Sequence, residues 1–178
     1  MIDYRLTMTE RMTLSAMRKF NLENAPYSYK SAILLEALYK AYRVLGNDEI
    51  LMYVRNMLEA YVHEDGTCEK FVLEEYSMDN IRMGYIMLKF YALTGDDRYK
   101  KGLDQFIEML KTQPRTPEGG FWHKGRYTNQ MWLDGLFMQG PVYAGYCRMF
   151  GGLKECLDDI VAQFELVYEK TYDPQTGL

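Results

Sequence analysis

Two aspartates and the residues around them carry the chemistry that can be read from this chain. Asp134 stands in Trp132-Leu133-Asp134-Gly135-Leu136-Phe137-Met138, a single carboxylate in a run that otherwise reads as buried helix. A buried acid costs free energy unless it is paired or neutral, so this residue is either a hydrogen-bonded structural acid or a functional one. The stretch from Pro117 to Pro141 around it also holds both tryptophans and His123. A second acid occupies an equivalent place: Asp79 lies 16 residues before Gly95, as Asp134 lies 17 before Gly151, and the same count back from Gly46 reaches Tyr29. Glycines of this kind end helices. The spacing therefore predicts that Tyr29, Asp79 and Asp134 open three successive inner helices and meet at one rim. Two carboxylates at one mouth suit glycosidic acid–base work, in which one group holds a proton and the other is ionised. Asp134, among apolar side chains, is the expected proton donor. Asp79, followed by Asn80 and three residues before Arg82, is expected to stay charged.

Helices must position these groups, and the chain is patterned for them throughout. Apolar residues at helical spacing predict helices over residues 7–20, 26–46, 49–61, 79–93, 97–110, 130–150 and 153–170. The sixth is expected to be interrupted at Gly140-Pro141, where proline has no N–H to give. The turn glycines Gly46, Gly95 and Gly151 are 49 and 56 residues apart, so the unit is an αα-hairpin repeated with loop-length variation. Repeats of this size stack into a solenoid or close into a toroid.

Composition narrows the class further. A chain of 178 residues that is 48% hydrophobic can build one core. A net charge of -4 with scattered lysines and arginines argues against a nucleic-acid partner. No run approaches a membrane span, and the first residues, MIDYRLTMTERM, mix charges without an apolar core, unlike a secretory signal. Cys68, Cys147 and Cys156 have no metal-ligand spacing and cannot all pair, which fits a reducing compartment; a cytoplasmic location is expected. Aromatic residues make up 15% of the chain, with 16 tyrosines. They suit sugar stacking as well as a tyrosine-rich core. His63 and Arg82 are read as solvated or salt-bridged side chains.

The segments PEGGFWHK, a following tyrosine and NQMWLDGLFM resemble the signature of glycoside hydrolases that act on unsaturated uronic acids (families 88 and 105), the unsaturated rhamnogalacturonyl hydrolases above all. Ser77-Met78-Asp79-Asn80-Ile81 and YALTGDDRY are similar to the segment of that family that carries its second catalytic aspartate. The resemblance runs from about Tyr27 to the end and matches the N-terminal half of the family's domain. It implies that residues 1–178 form the N-terminal part of a single (α/α)6 toroid, apparently truncated. It also implies the reaction: hydration of the C4–C5 double bond that a lyase leaves on a terminal uronic acid of pectin fragments, releasing a rhamnose-containing aglycone. Asp134 matches the general acid/base and Asp79 the aspartate that orients the reacting sugar. His123 and Lys124 match residues lining the substrate site, to which Trp132, Tyr29 and Asn80 are added as candidates. Neither metal nor organic cofactor is implied; the partner is an unsaturated uronic-acid oligosaccharide. Half a toroid would leave inner helices exposed, so self-association is a further expectation. The competing reading is a non-catalytic helical scaffold that binds sugar or protein. Sugar epimerases share such a barrel but use histidine bases on inner helices. Here His63 and His123 both fall outside the predicted inner helices.

Overall fold

The computed structural model describes residues 6–177. Residues 1–5, part of the stretch read as unlike a leader, and residue 178 lie outside them. The described chain is helical: α1 (Met8–Lys19), α2 (Tyr29–Leu45), α3 (Asp48–Tyr61), a 3₁₀ turn (Leu73–Glu75), α4 (Met78–Ile81), α5 (Gly84–Thr94), α6 (Asp97–Thr112), α7 (Leu133–Phe150) and α8 (Leu153–Thr171). Among the described residues no helix is long and apolar enough to cross a membrane.

Local chemistry fixes where these helices start and stop. Thr7 and Glu10 form a reciprocal capping box at α1, and Ser28, Asn47 and Asp96 accept from the first turns of α2, α3 and α6. The second helix thus begins at Tyr29 rather than at Pro26, because Ser28 supplies the cap. Gly46 and Gly95 end α2 and α5 in the left-handed region, at φ 66° and 69°.

Two departures from the expected helices meet at Arg82. The helix expected over residues 79–93 is divided: at the joint Arg82, Tyr85 and Ile86 donate to carbonyls three residues back, a 3₁₀ tightening between α4 and α5. The expected interruption at Gly140-Pro141 does not occur, and α7 runs through Pro141. Proline leaves the Phe137 carbonyl without its donor. Arg82 Nη1 supplies one instead at 3.1 Å. The same guanidinium pairs with Glu36 of α2 and lies 3.8 Å from the centre of the Phe137 ring. At 1% exposed, Arg82 joins three inner segments, and the reading of it as salt-bridged holds. It is not the partner of Asp79.

The elements form two layers. Each of α2, α5 and α7 packs against its own following helix, α3, α6 and α8, and the contacts between hairpins run chiefly through α2, α4, α5 and α7. These three αα-hairpins are the repeat expected from the glycine spacing. Leu35, Val54, Leu58, Ile81, Met87, Phe90, Leu103, Phe106 and Val142 are buried at their junctions, each contributing about 1.5–3 kcal/mol relative to exposure. The layers approach closely where Gly84 stands: a Cβ there would sit 2.5 Å from Val142 Cγ1. Two inter-repeat loops share one design. Each closes with an isolated antiparallel bridge, Val62 with Cys68 and Arg115 with Phe121. In each, the following outer helix sends a glutamine to the turn glycine: Gln105 Nε2 donates to Gly66 O at 2.9 Å and Gln163 Nε2 to Gly119 O at 3.1 Å.

Candidate active site

The second of these loops and the start of α4 build the site together. Gly119 and Phe121 are held by Gln163, whose Oε1 accepts from the Phe121 N–H at 2.7 Å. The chain then crosses the segment before α4, where Met78 N donates to His123 O at 3.0 Å and Gly125 N to Glu75 O at 2.9 Å. Gln113 Nε2 clamps both strands of this crossing, donating to Tyr76 O at 2.8 Å and Trp122 O at 2.7 Å. Tyr76 enters the left-handed region at φ 47° to turn the chain from the 3₁₀ turn into α4.

The crossing places His123 between the two aspartates. His123 Nε2 lies 3.3 Å from Asp79 Oδ1, and Nδ1 lies 3.8 Å from Asp134 Oδ1. One oxygen of each carboxylate and one imidazole nitrogen fall within 4.8 Å of one another, just short of the roughly 5 Å at which the separation of paired glycosidase carboxylates begins. Lys124 Nζ donates to Asp79 Oδ2 at 2.5 Å. The imidazole is buried and stacks on Trp132, 4.5 Å between centroids at 3°. Tyr127 stacks on the same indole at 4.9 Å.

The two acids differ in environment, though not as expected. Burial pushes the Asp79 carboxyl up, but hydrogen bonds from His123 and Lys124 and the Lys124 charge outweigh it and hold it below the usual carboxylate range. Asp79 thus has the ionised character foreseen for it, with Lys124 and His123 in the part assigned to Arg82. Asp134 overturns an expectation: its side chain is 51% exposed. Trp132, Leu133 and Phe137 are exposed beside it, because the first turn of α7 projects past the crossing loop and no described element covers it. Among the described residues these three groups are also the ones whose donors could meet a metal ion, but the Lys124 ammonium already occupies Asp79.

Of the other candidates, Asn80 and Lys124 line a polar cleft with Glu74, Glu75 and Arg126, and the Asn80 carbonyl accepts from Tyr27. Tyr29 opens α2 as Asp79 opens α4 and Asp134 opens α7. It lines a different depression, with Phe20, Pro26 and Leu34, so the structure brings Asp79, Asn80, His123, Lys124, Trp132 and Asp134 together and leaves Tyr29 apart. Gln113 was not foreseen, and Tyr127, the tyrosine quoted in the signature, was given no place in the site. A buried glutamine at a helix end gives no sequence signal, and a signature tyrosine does not reveal which ring it stacks on.

Comparison with known proteins identifies the family and the fold. Residues 5–178 match the model of Glycosyl Hydrolase Family 88. The chain is 25% identical over 170 residues to the unsaturated rhamnogalacturonyl hydrolase YesR of Bacillus subtilis, covering 90% of this chain and 46% of that protein. A glycoside hydrolase of family 105 from C. acetobutylicum superposes with a TM-score of 0.88 at 31% identity, over 97% of this chain and 48% of its own. A possible member of that family from Klebsiella pneumoniae has the same fold, with a TM-score of 0.78 at 16% identity over 52% of its length. The chain spans about half the length of the relatives it matches.

Proposed function

Because the chain belongs to Glycosyl Hydrolase Family 88, we propose that it provides the two catalytic aspartates of an enzyme that hydrates the C4–C5 double bond of an unsaturated galacturonic acid. In this reading residues 1–178 are the N-terminal half of one (α/α)6 catalytic domain. The observation that carries it is the convergence of Asp79, His123 and Asp134 within 4.8 Å, with one acid paired and the other open to solvent.

The chemistry follows from that contrast. Asp134, exposed toward the space where a sugar would lie, delivers a proton to C4 of the enol ether. It then takes a proton from the water that adds at C5, so the residue ends as it began. The resulting hemiketal opens and the aglycone leaves. Asp79, held ionised by Lys124 and His123, accepts from sugar hydroxyls and stabilises positive charge developing at C5. Trp132 offers an apolar face beside Asp134. Lys124 and Asn80 serve the polar side of the sugar. The substrate proposed is a short oligosaccharide from pectin lyase action, as the name of the B. subtilis relative suggests. The free buried thiols Cys68, Cys147 and Cys156 favour a cytoplasmic setting.

The test uses the polypeptide that contains this chain at the full length of its relatives. Asp134→Asn keeps the shape but cannot exchange the proton, so turnover, read as loss of ultraviolet absorbance of the conjugated double bond, should fall about 10² to 10⁴-fold. In deuterated water the new hydrogen at C4 should be deuterium. A variant that keeps more than about a tenth of the wild-type rate would move the proton donor to another residue. The exposure of Asp134 favours a second reading, a sugar-binding scaffold without turnover. It predicts substrate binding with no loss of absorbance by the wild-type protein.

A further inference from the structure

His123 carries an unfilled requirement at its second nitrogen. Asp79 is acceptor-only when ionised, so the imidazole nitrogen facing it, Nε2, must carry the hydrogen. In the neutral ring Nδ1 is then a lone pair. It is buried and has no hydrogen-bond partner in the protein, and 3.8 Å to Asp134 Oδ1 is too long for a direct bond. A buried polar atom left in that state is costly.

A cavity of about 10 Å³ lies beside His123, lined also by Trp132, Gly135, Gln139 and Gln163. Gly135 brings α7 under the ring, for a Cβ there would stand 3.4 Å from Nδ1, and Gln139 follows one turn later on the same face. Gln139 is 1% exposed. Neither end of its amide has a partner in the protein. The other polar groups at the cavity are committed: the Gln163 amide to Phe121, Gly119 and Asp159, the Trp132 indole to Gln130, and the Gly135 N–H to Trp132 O.

We propose that this cavity is a binding site for one water molecule, which donates to His123 Nδ1 and bonds to the Gln139 amide, making Gln139 the positioning residue of His123. The space is that of a single water, for which about 10–15 Å³ is needed, and either end of the glutamine amide serves it. Gln139 touches no reacting atom. It acts through the water, holding the imidazole as an acceptor at Nδ1 and a donor at Nε2, and thereby keeps Asp79 paired. The role in catalysis rests on the proposed function, since that reading puts His123 beside the sugar; the water site does not.

The test needs no substrate, so its failure and that of the functional reading are distinguishable. The chain has only two histidines, His63 and His123, which makes nitrogen NMR of labelled imidazoles direct. Wild-type His123 should show a protonated Nε2 and a hydrogen-bonded, unprotonated Nδ1, with exposed His63 as the internal reference. Gln139→Met, close in size and apolar, should shift the Nδ1 signal downfield toward a free lone pair and leave His63 unmoved. An unchanged Nδ1 signal in the folded variant overturns the proposal. So does a wild-type His123 that carries its hydrogen on Nδ1 or on both nitrogens, a measurement that decides the matter even if the variant fails to fold.

Discussion

At the scale of single residues the site is an arrangement of unequal acids, and Asp79 shows the inequality most directly. Its carboxyl is held below the usual range by His123 and Lys124 against the opposing effect of burial. The folded value is thus lower than the unfolded one. The stabilisation from this pairing is present above about pH 4, the ordinary aspartate value, and is lost as pH falls through the lower folded value. Asp79→Asn should therefore flatten the acid limb of a stability-against-pH curve measured by urea unfolding; an acid limb identical to wild type would show that the pairing contributes nothing. If the proposed hydration is the reaction, the same substitution should lower turnover severely by removing charge and orientation, with no change in deuterium incorporation per turnover. Asp79, Asp134, His123 and Lys124 could all be picked out from the sequence, since spacing and motif name residue types. Their environments could not. Asp134 sits in an apolar run, yet burial depends on which element crosses above it, and the crossing loop buries its own His123 while leaving Asp134 open.

At the scale of elements the helices were legible and their joints were not. Glycines and cap residues are local signals, so Gly46, Gly95 and Asp96 mark their boundaries in the chain itself. The continuity of α7 through Pro141 depends on Arg82, a residue far away in sequence. Removing that side chain would strip Glu36 of its buried partner and the Phe137 carbonyl of its donor. Arg82→Met should accordingly destabilise the fold by about 3–5 kcal/mol, the usual effect of breaking a buried pair. Arg82→Met combined with Glu36→Met should recover much of this, because no charge is then stranded. Denaturant midpoints of the two variants and the wild type test the point. Equal midpoints for the single and double variants would contradict it. Pro141→Ala should soften the Arg82 variant in the same way, by returning an N–H to the helix.

At the scale of the whole molecule the described apolar surface is uneven. The middle hairpin, α5 and α6, exposes only Leu93 among large hydrophobics, whereas α8 exposes Leu153, Leu157, Val161, Phe164 and Tyr168, a stripe at helical spacing. The faces expected to be open were those of inner helices, and Ile33 and Val44 of α2 and Leu133, Phe137 and Met149 of α7 are exposed; the continuous stripe, however, lies on an outer helix. A patch of this kind favours association. We expect this chain to self-associate in sedimentation experiments and Val161→Glu with Phe164→Lys to shift it toward monomer. A wild-type chain that sediments as a monomer at every concentration would end this idea. The paired loops carry a different implication, one of timing. Each turn glycine is secured by a glutamine that lies later in the chain, Gly66 by Gln105 and Gly119 by Gln163. On the ribosome, then, the segment bearing His123 and Lys124 has to wait for α8 to be synthesised before it is locked. The site is completed from the N-terminus onward, one hairpin behind the growing end.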